Sequence, residues 1–377
     1  DLWATGDLGV VCNVGNLVQP LTKAQYLSSQ FKKPYQLFSH SDQVAQAQTS
    51  VSTTQAFTGW GGRLSDKMTA GSNPSGLIPM ITSISGAQLF TAGQTTLPLA
   101  IANAQTSLAN VLNPAGYGSN PTGSTLARLT AFNALRQQDL SNNFIKEASH
   151  VTDLAMQANS ALQTSQEVTV QFPTTNIGQQ FKQVARLIKK RFDLNVNRQV
   201  FYVQLGGFDT HTNELNENNG QNARLREFSQ AMRAFYDEMV AQGVNNDVTT
   251  FTLSDFGRTL NPAGSGATVG SDHAWGNHMF VMGGSVSGGD FYGSHRPDGT
   301  GNYFPTLVMG PSGADDTDNN ASGRGRWIPT TSVEMYAVRF ARWFGLSPAD
   351  ETLVFPNLAN PLITQHDAAN SALGFLP

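Results

Sequence analysis

The sequence predicts an α/β protein with a mostly parallel sheet. Strand-like and helix-like segments alternate in its second half: a β-rich run covers 199–205, an amphipathic helix covers 224–242, and a second β-rich run covers 248–253. Because parallel neighbours need a crossover connection, this order predicts two parallel strands joined by a right-handed crossover. Charged residues make up 13% of the chain, against about 25% in an average soluble protein, which disfavours a coiled coil or a cytosolic helical bundle.

Apolar spacing predicts the other elements. They are a strand at 8–14, a helix that follows a loop within 34–49, one or two helices within 124–163, a helix at 177–192, a strand at 278–282 and a closing helix at 333–344. Residues 56–123 are rich in Gly, Pro, Ser and Thr, so short helices and loops are expected there. We predict a single domain over 1–377 with a mainly helical and loop insertion at about 56–165, although the length also allows about two to three domains.

Composition restricts the partners and the compartment. The net charge is −4, and no segment has the Lys/Arg density that binds nucleic acid. No apolar stretch approaches the ~18–20 residues of a membrane span. The single cysteine, Cys12, lies in an apolar run, so we expect a buried thiol and no disulfide scaffold. The sequence begins at Asp1, so either a leader was removed or the true beginning is missing; with its low charge, an exported, periplasmic or extracellular protein is expected.

Three polar clusters stand at or near predicted strand ends, where α/β sheets bind ligands. Carboxylate and imidazole groups there suit one or two divalent ions, with zinc, manganese, calcium or iron as the candidate metals. Such ions would activate water or a hydroxyl group. The same side chains could instead cap helices and complete turns. The candidate ligands are Asp209, His211, Asp255, Asp272, His273 and His278, with His295 as a weaker candidate.

Two further residues suit ester chemistry. The guanidinium of Arg258 is expected to bind a tetrahedral oxyanion such as phosphate or sulfate, or alternatively to orient Asp255 through a salt bridge. Ser39 precedes a predicted helix, where backbone N–H groups and the helix dipole would favour a nucleophile and its anion. Ser41 stands in the same segment and is favoured as a helix cap.

The acidic run at 315–320 superficially resembles a calcium-binding loop. Counted from Asp316, the sixth position is Ala321 where such loops carry glycine, and the twelfth is Trp327 where they carry an acid. We therefore predict a solvated turn.

Three motifs resemble an uncharacterised, sulfatase-like bacterial family of unknown function within the alkaline phosphatase superfamily. They are Gly206-Gly-Phe-Asp209-Thr-His211, Ser254-Asp255-Phe-Gly-Arg258-Thr and Gly270-Ser-Asp272-His273-Ala-Trp-Gly. The likeness runs from about Leu8 through Gly323-Arg-Gly-Arg326 to Leu346. It implies a three-layer α/β/α sandwich with a mostly parallel sheet and helical and loop insertions. It also implies an exported protein, in this family often by the twin-arginine route.

The resemblance further implies the site. Asp209 and His211 would form one ligand cluster, Asp272 and His273 another, with Asp255 at an intervening strand end. Ser39 would be the nucleophile. The sequence departs from the superfamily in lacking its first metal-binding Asp motif, and in separating Asp209 from His211 by one residue where the phosphatases commonly have three.

We therefore expect an exported, metal-dependent hydrolase that acts on a small or polymeric phosphate or sulfate ester. The alternative is a non-catalytic secreted or surface-associated protein that keeps the fold and binds or self-assembles, as a homo-oligomer or a surface layer.

Overall fold

A computed structural model describes residues 1–112, 116–117, 120–163 and 167–377. Its strands are β1 (Leu8–Gly15), β2 (Ile81–Ser83), β3 (Leu99–Ala100), β4 (Val200–Tyr202), β5 (Thr250–Phe251), β6 (Asn277–Met282), β7 (Phe291–Ser294), β8 (Thr331–Ser332) and β9 (Ser371–Ala372). Its helices are α1 (Lys23–Leu27), α2 (His40–Thr49), α3 (Trp60–Ser72), α4 (Leu108–Val111), α5 (Gly123–Leu135), α6 (Asn143–Gln163), α7 (Asn176–Lys189), α8 (Gln221–Ala241), α9 (Val333–Phe344), α10 (Glu351–Val354) and α11 (Pro361–Asn370).

The strands form a larger mixed sheet and a smaller parallel one. The larger sheet has the order β5-β6-β1-β7-β9, with β8 also beside β1, and the smaller has the order β3-β2-β4. In the larger sheet, β6 is antiparallel to both β5 and β1, whereas β7 and β8 are parallel to β1. The α/β class is thus confirmed, but the prediction of a mostly parallel sheet is wrong for the larger sheet. No α-helix lies between β5 and β6, so β6 returns antiparallel without a crossover.

The predicted β-α-β unit has its three elements, but its strands do not pair. Strand β4 ends the smaller sheet, β5 ends the larger one, and α8 connects them. Both strands line one cavity of about 1350 Å³. The expected direct pairing of these strands is therefore wrong, because β4 pairs with β2 and β5 pairs with β6.

Helix α3 is longer than the sequence suggested for its glycine-rich segment. It runs for 13 residues although it contains Gly61 and Gly62, which weaken an isolated helix. Close packing explains them, since a Cβ on Gly62 would lie 2.2 Å from the carbonyl carbon of Ala92. Tertiary contact therefore decides this helix.

Two apolar clusters stabilise the elements. One surrounds β1 and α9 and includes Val11 and Tyr336; the other lies around α7 and α8 and includes Phe181 and Phe235. Cys12 is fully buried and unpaired, as predicted, and burial raises the pKa of its thiol to about 12. Among the described helices, none combines the length and the apolar character needed to cross a bilayer.

Candidate functional site

The three polar loops meet at one place, and backbone hydrogen bonds hold them together. The loop after β5 joins the loop before β6, because the Thr259 N–H donates to the Asp272 carbonyl at 2.9 Å. The loop after β4 joins them, because the Ser271 N–H donates to the Thr210 carbonyl at 3.0 Å. A Cβ on Gly270 would lie 2.4 Å from that Thr210 oxygen, so this approach requires glycine.

The carboxylate of Asp209 lies at the centre of this region. Imidazole Nε2 atoms approach it from three sides: that of His211 at 2.9 Å, that of His273 at 3.2 Å and that of His40 at 3.3 Å. We call these four residues the His–Asp cluster. His40 is the first residue of α2, so a helix N-terminus remote in sequence contributes to the cluster.

Hydrogen bonds fix the orientation of two of the imidazoles. His40 Nδ1 lies 2.5 Å from the Asp255 carboxylate, and His273 Nδ1 lies 2.6 Å from the Phe38 carbonyl oxygen. A carboxylate or carbonyl oxygen accepts, so in each ring Nδ1–H is the donor. In a neutral ring, Nε2 then carries a lone pair, as in metal-ligating histidines.

His211 has the same arrangement on the other side of Asp209. Its Nδ1 lies 3.0 Å from Asp272 Oδ1, and the other oxygen of Asp272 accepts from Arg324 Nη2. Partial burial raises the pKa of Asp272, but the hydrogen bonds with His211 and Arg324 outweigh it and hold the pKa below its ordinary value. Asp272 is thus an ionised acceptor that leaves Nε2 of His211 facing Asp209.

The spacing of these atoms suits a divalent cation. The ligand atoms of His40, Asp209 and His273 all lie within 4.8 Å of one another. Nε2 of His211 lies 3.0 Å from Nε2 of His273. Tetrahedral zinc, at about 2.0–2.1 Å from each ligand, needs ligand atoms about 3.3 Å apart. With each Nδ1 directed at an oxygen acceptor, these Nε2 atoms and the Asp209 carboxylate could all act as ligands of one cation placed between them.

An unpartnered atom supports the same conclusion. Nε2 of His40 is buried and makes no hydrogen bond with the described part of the chain, although Asp209 lies 3.3 Å away. A buried polar atom without a partner is costly. The residues present therefore fit a metal ion.

Arg258 is engaged with Asp209, and it does not contact Asp255 as the alternative interpretation supposed. Its Nη1 donates to Asp209 Oδ1 at 2.6 Å, its Nε donates to Ser271 Oγ at 3.1 Å, and its Nη2 donates to the Ser271 carbonyl. Partial burial raises the pKa of Asp209, but the Arg258 hydrogen bond and the charge of His211 outweigh it and lower the pKa below its ordinary value. Arg258 therefore orients and ionises Asp209.

Three candidates lie apart from the cluster. Ser39 is the N-cap residue of α2, and its Oγ donates to Asp42 at 2.6 Å. His278 lies on β6, where its Nδ1 accepts from the Asn13 N–H at 3.3 Å and burial lowers its pKa. His295 Nδ1 lies 2.7 Å from the carbonyl of the nearby residue 301. None of these three side chains forms a hydrogen bond or ion pair with Asp209.

His40 is a candidate ligand that the sequence did not predict. The only signal in the sequence is its position beside Ser39, where the pattern predicts a serine nucleophile and not a histidine ligand. The geometry that brings His40 to the site depends on Gln36 and Phe38, which have φ of 47° and 71°. Positive φ is uncommon for such residues, and strain of this kind is frequent at functional sites.

The acidic run is not a solvated turn. Asp315 and Asp316 are 4% and 1% exposed, so the sequence prediction is wrong here. Burial is tolerated because backbone N–H groups and the Arg296 guanidinium bind their carboxylate oxygens.

The fold and the cluster together define an α/β protein with a histidine-rich site where three loops meet at the ends of strands. The model of one family, described as a protein of unknown function (DUF1501), matches residues 13–338. The chain belongs to this family. Neither a curated protein nor a solved structure matches it.

Proposed function

We propose that this chain is a metal-dependent hydrolase of phosphate or sulfate esters that acts outside the cytoplasm. The observation that carries the proposal is the approach of three imidazole Nε2 atoms to the single carboxylate of Asp209. A set of imidazoles with one carboxylate is suited to zinc or manganese. We also propose the three-layer, alkaline phosphatase-like arrangement that the motifs suggested.

The side chains divide into two roles in this proposal. His40, Asp209, His211 and His273 hold the ion, and Asp255, Asp272 and Arg258 orient them. A divalent ion would supply Lewis-acid chemistry, lowering the pKa of a water molecule and polarising the ester. In the overall reaction, the oxygen of water bonds to phosphorus or sulfur, the ester P–O or S–O bond breaks, and the leaving alcohol takes the proton.

Ser39 is an alternative nucleophile in the same proposal. Its hydroxyl lies at the N-terminus of α2 beside His40, but it donates to Asp42. Replacing Ser39 with Ala distinguishes the two routes. Retention of hydrolysis in Ser39→Ala supports attack by water, and loss with unchanged metal content supports attack by serine.

The decisive experiment measures metal and activity on the same preparations. We expect about one or two equivalents of zinc or manganese in the wild-type protein, and hydrolysis of p-nitrophenyl phosphate or p-nitrophenyl sulfate. Asp209→Ala should lose both. His150→Gln, which changes an exposed histidine of α6 outside the cluster, should keep both. Unchanged metal content and hydrolysis in Asp209→Ala would refute the proposal.

A second function, as a non-catalytic assembly or binding protein, has support from α5 and α6. Helix α5 buries none of its residues. Large apolar side chains on these helices and their connection are exposed, among them Leu126, Leu135, Phe144 and Val151. Apolar surface of this kind favours association. Under this alternative, light scattering should show a concentrated wild-type protein to be oligomeric and a Leu135→Ser, Phe144→Ser variant to be monomeric; a monomeric wild type would contradict it.

A further inference from the structure

We propose that Arg324 is the side chain that binds the substrate oxyanion, a phosphate or sulfate group, beside the His–Asp cluster. The inference rests on the proposed function for the identity of the substrate. Its structural basis is the geometry of the segment Gly323-Arg324-Gly325-Arg326, which has no part in the proposed metal site.

Arg258 is less open to a ligand than the sequence predicts, because three of its five N–H donors are already bonded. Each of its three guanidinium nitrogens donates to an oxygen of Asp209 or Ser271, and its side chain is only 16% exposed. An arginine reads an oxyanion through two parallel N–H groups. Moving Arg258 to an anion would break contacts that hold Asp209.

Arg326 is also committed. Its guanidinium carbon lies 4.8 Å from the ring centre of Phe38, and its Nη2 lies 3.4 Å from Asp318. Its Nε is buried without a hydrogen-bond partner in the described chain. Arg326 therefore packs against the segment before α2.

Arg324, by contrast, combines open donors with a hydrogen bond to Asp272, which contacts the His–Asp cluster. One N–H of its Nη2 donates to Asp272, so within the described residues the other N–H of Nη2, together with Nε–H or an N–H of Nη1, is free to form a fork with a ligand. The side chain is 33% exposed. Asp272 also bonds His211, so the guanidinium lies one carboxylate away from the His–Asp cluster.

The backbone holds Arg324 in place. Its N–H donates to Asp318 Oδ2 at 2.6 Å, and its carbonyl accepts from the Asn261 N–H at 2.9 Å. Both neighbours must be glycine: a Cβ on Gly323 would lie 2.6 Å from a backbone nitrogen, and Gly325 has φ of 73°. A fixed backbone with one free guanidinium is a preorganised binding element.

Calorimetric titration with inorganic phosphate, and separately with sulfate, tests the inference on the full chain. Wild type, Arg324→Gln and Arg324→Lys are compared, each with and without zinc. We expect Arg324→Gln to weaken binding at least about tenfold, since hydrogen bonds to charged groups carry that much affinity. Arg324→Lys, which keeps the charge but not the fork, should be intermediate. The control Arg233→Gln removes an equally positive, exposed side chain on α8 and should change binding less than about twofold.

The outcomes separate the two proposals. Absence of both zinc and manganese from the wild type would defeat the metal-dependent function, while the titrations without added metal would still test Arg324. If Arg324→Gln binds phosphate and sulfate as tightly as the wild type does, the inference is overturned even if zinc binds. If neither phosphate nor sulfate binds the wild type, the inference is overturned as well. If Arg324→Gln does not fold, the comparison of Arg324→Lys with the wild type decides. Equal affinities of these two proteins for the anions would contradict recognition by the guanidinium fork.

A purely structural role predicts a different pattern. If Arg324 served only to hold Asp272, then Asp272→Asn would weaken anion binding as much as Arg324→Gln does. Under our inference, Asp272→Asn frees the guanidinium and leaves anion affinity in the zinc-free protein the same or higher. A loss equal to that of Arg324→Gln would contradict anion recognition.

Discussion

The His–Asp cluster and the acidic loop at Asp315–Asp318 both concentrate side chains that can ligate metals, but they use them differently. In the acidic loop, Asp316 accepts hydrogen bonds from three backbone N–H groups, those of Gly310, Asp318 and Arg326. In the cluster, three imidazole Nε2 atoms lie within 3.3 Å of one carboxylate, that of Asp209, which also accepts a hydrogen bond from Arg258. The comparison teaches that backbone donors saturate the acid of the loop, whereas the Nε2 atoms of the cluster face the position of the metal ion that we propose.

Lys23 completes the contrast. Its Nζ donates to the carbonyl oxygens of Gly310, Gly313 and Asp318. An ammonium group thus occupies the carbonyl-lined space of the acidic loop. The chain itself therefore supplies the positive charge in the acidic loop, whereas in the cluster we propose that a bound metal ion supplies it.

The largest expected effect tests the structural role of the acidic loop. Asp316→Ala leaves three backbone N–H groups without their acceptor, and should lower the free energy of unfolding by about 3–5 kcal/mol in urea titrations. Asp237→Ala, in an exposed pair with Arg233, should cost less than about 1 kcal/mol. A stable Asp316→Ala protein that has lost zinc would reverse the roles assigned to the two regions.

The next effect concerns the ligand that the sequence did not predict. His40→Ala removes one Nε2 and should weaken zinc binding by more than about 100-fold, measured by competition with a chelator. Asp315→Asn, in the acidic loop, should leave zinc affinity within about twofold of the wild type. Similar zinc affinities in His40→Ala and wild type would remove His40 from the site.

A smaller effect should come from the partner of His40. Asp255→Asn keeps an acceptor near Nδ1 but removes its charge, so zinc affinity should fall by about 10- to 100-fold, less than in His40→Ala. The same competition measurement applies. An Asp255→Asn effect larger than that of His40→Ala would indicate that Asp255 binds the ion directly.

The carboxyl group of Glu334 extends the comparison, because both of its oxygens are buried and neither has a hydrogen bond of ordinary geometry within the described chain. Glu334 lies at the start of α9 and is fully buried, and burial raises its pKa above 4.5. Above pH 4.5 the unfolded state releases this proton while the folded state keeps it. Stability therefore falls as pH rises, until the raised pKa is reached.

Glu334→Gln should remove this dependence. Relative to the wild type, the variant should gain up to about 1.4 kcal/mol of unfolding free energy per pH unit above pH 4.5. Urea unfolding at pH 4.5, 6 and 7.5 measures the difference. A difference that does not change with pH would mean that Glu334 is already ionised in the folded protein.

Much of the site could be expected from local sequence. Asp209, His211 and His273 follow or precede β-rich runs, and polar residues at such positions meet where strands end. His40 could not be found this way, because its approach depends on two left-handed residues in the preceding loop. The sequence also could not tell whether Asp255 would face a metal or an imidazole Nδ1, since both environments suit a carboxylate.

The sequence by itself determined the α/β class, strands β1, β4, β5 and β6, helices α2 and α5 to α9, the buried Cys12 and the polar loops that make the site. These follow from apolar periodicity and turn residues, which act over a few residues. Only the tertiary structure decided the direction of the larger sheet, the separation of β4 from β5, and which ligand-type side chains keep their lone pairs. Those outcomes depend on contacts between segments far apart in the chain. Such contacts bring backbone donors to Asp316 and bring His40 to Asp255.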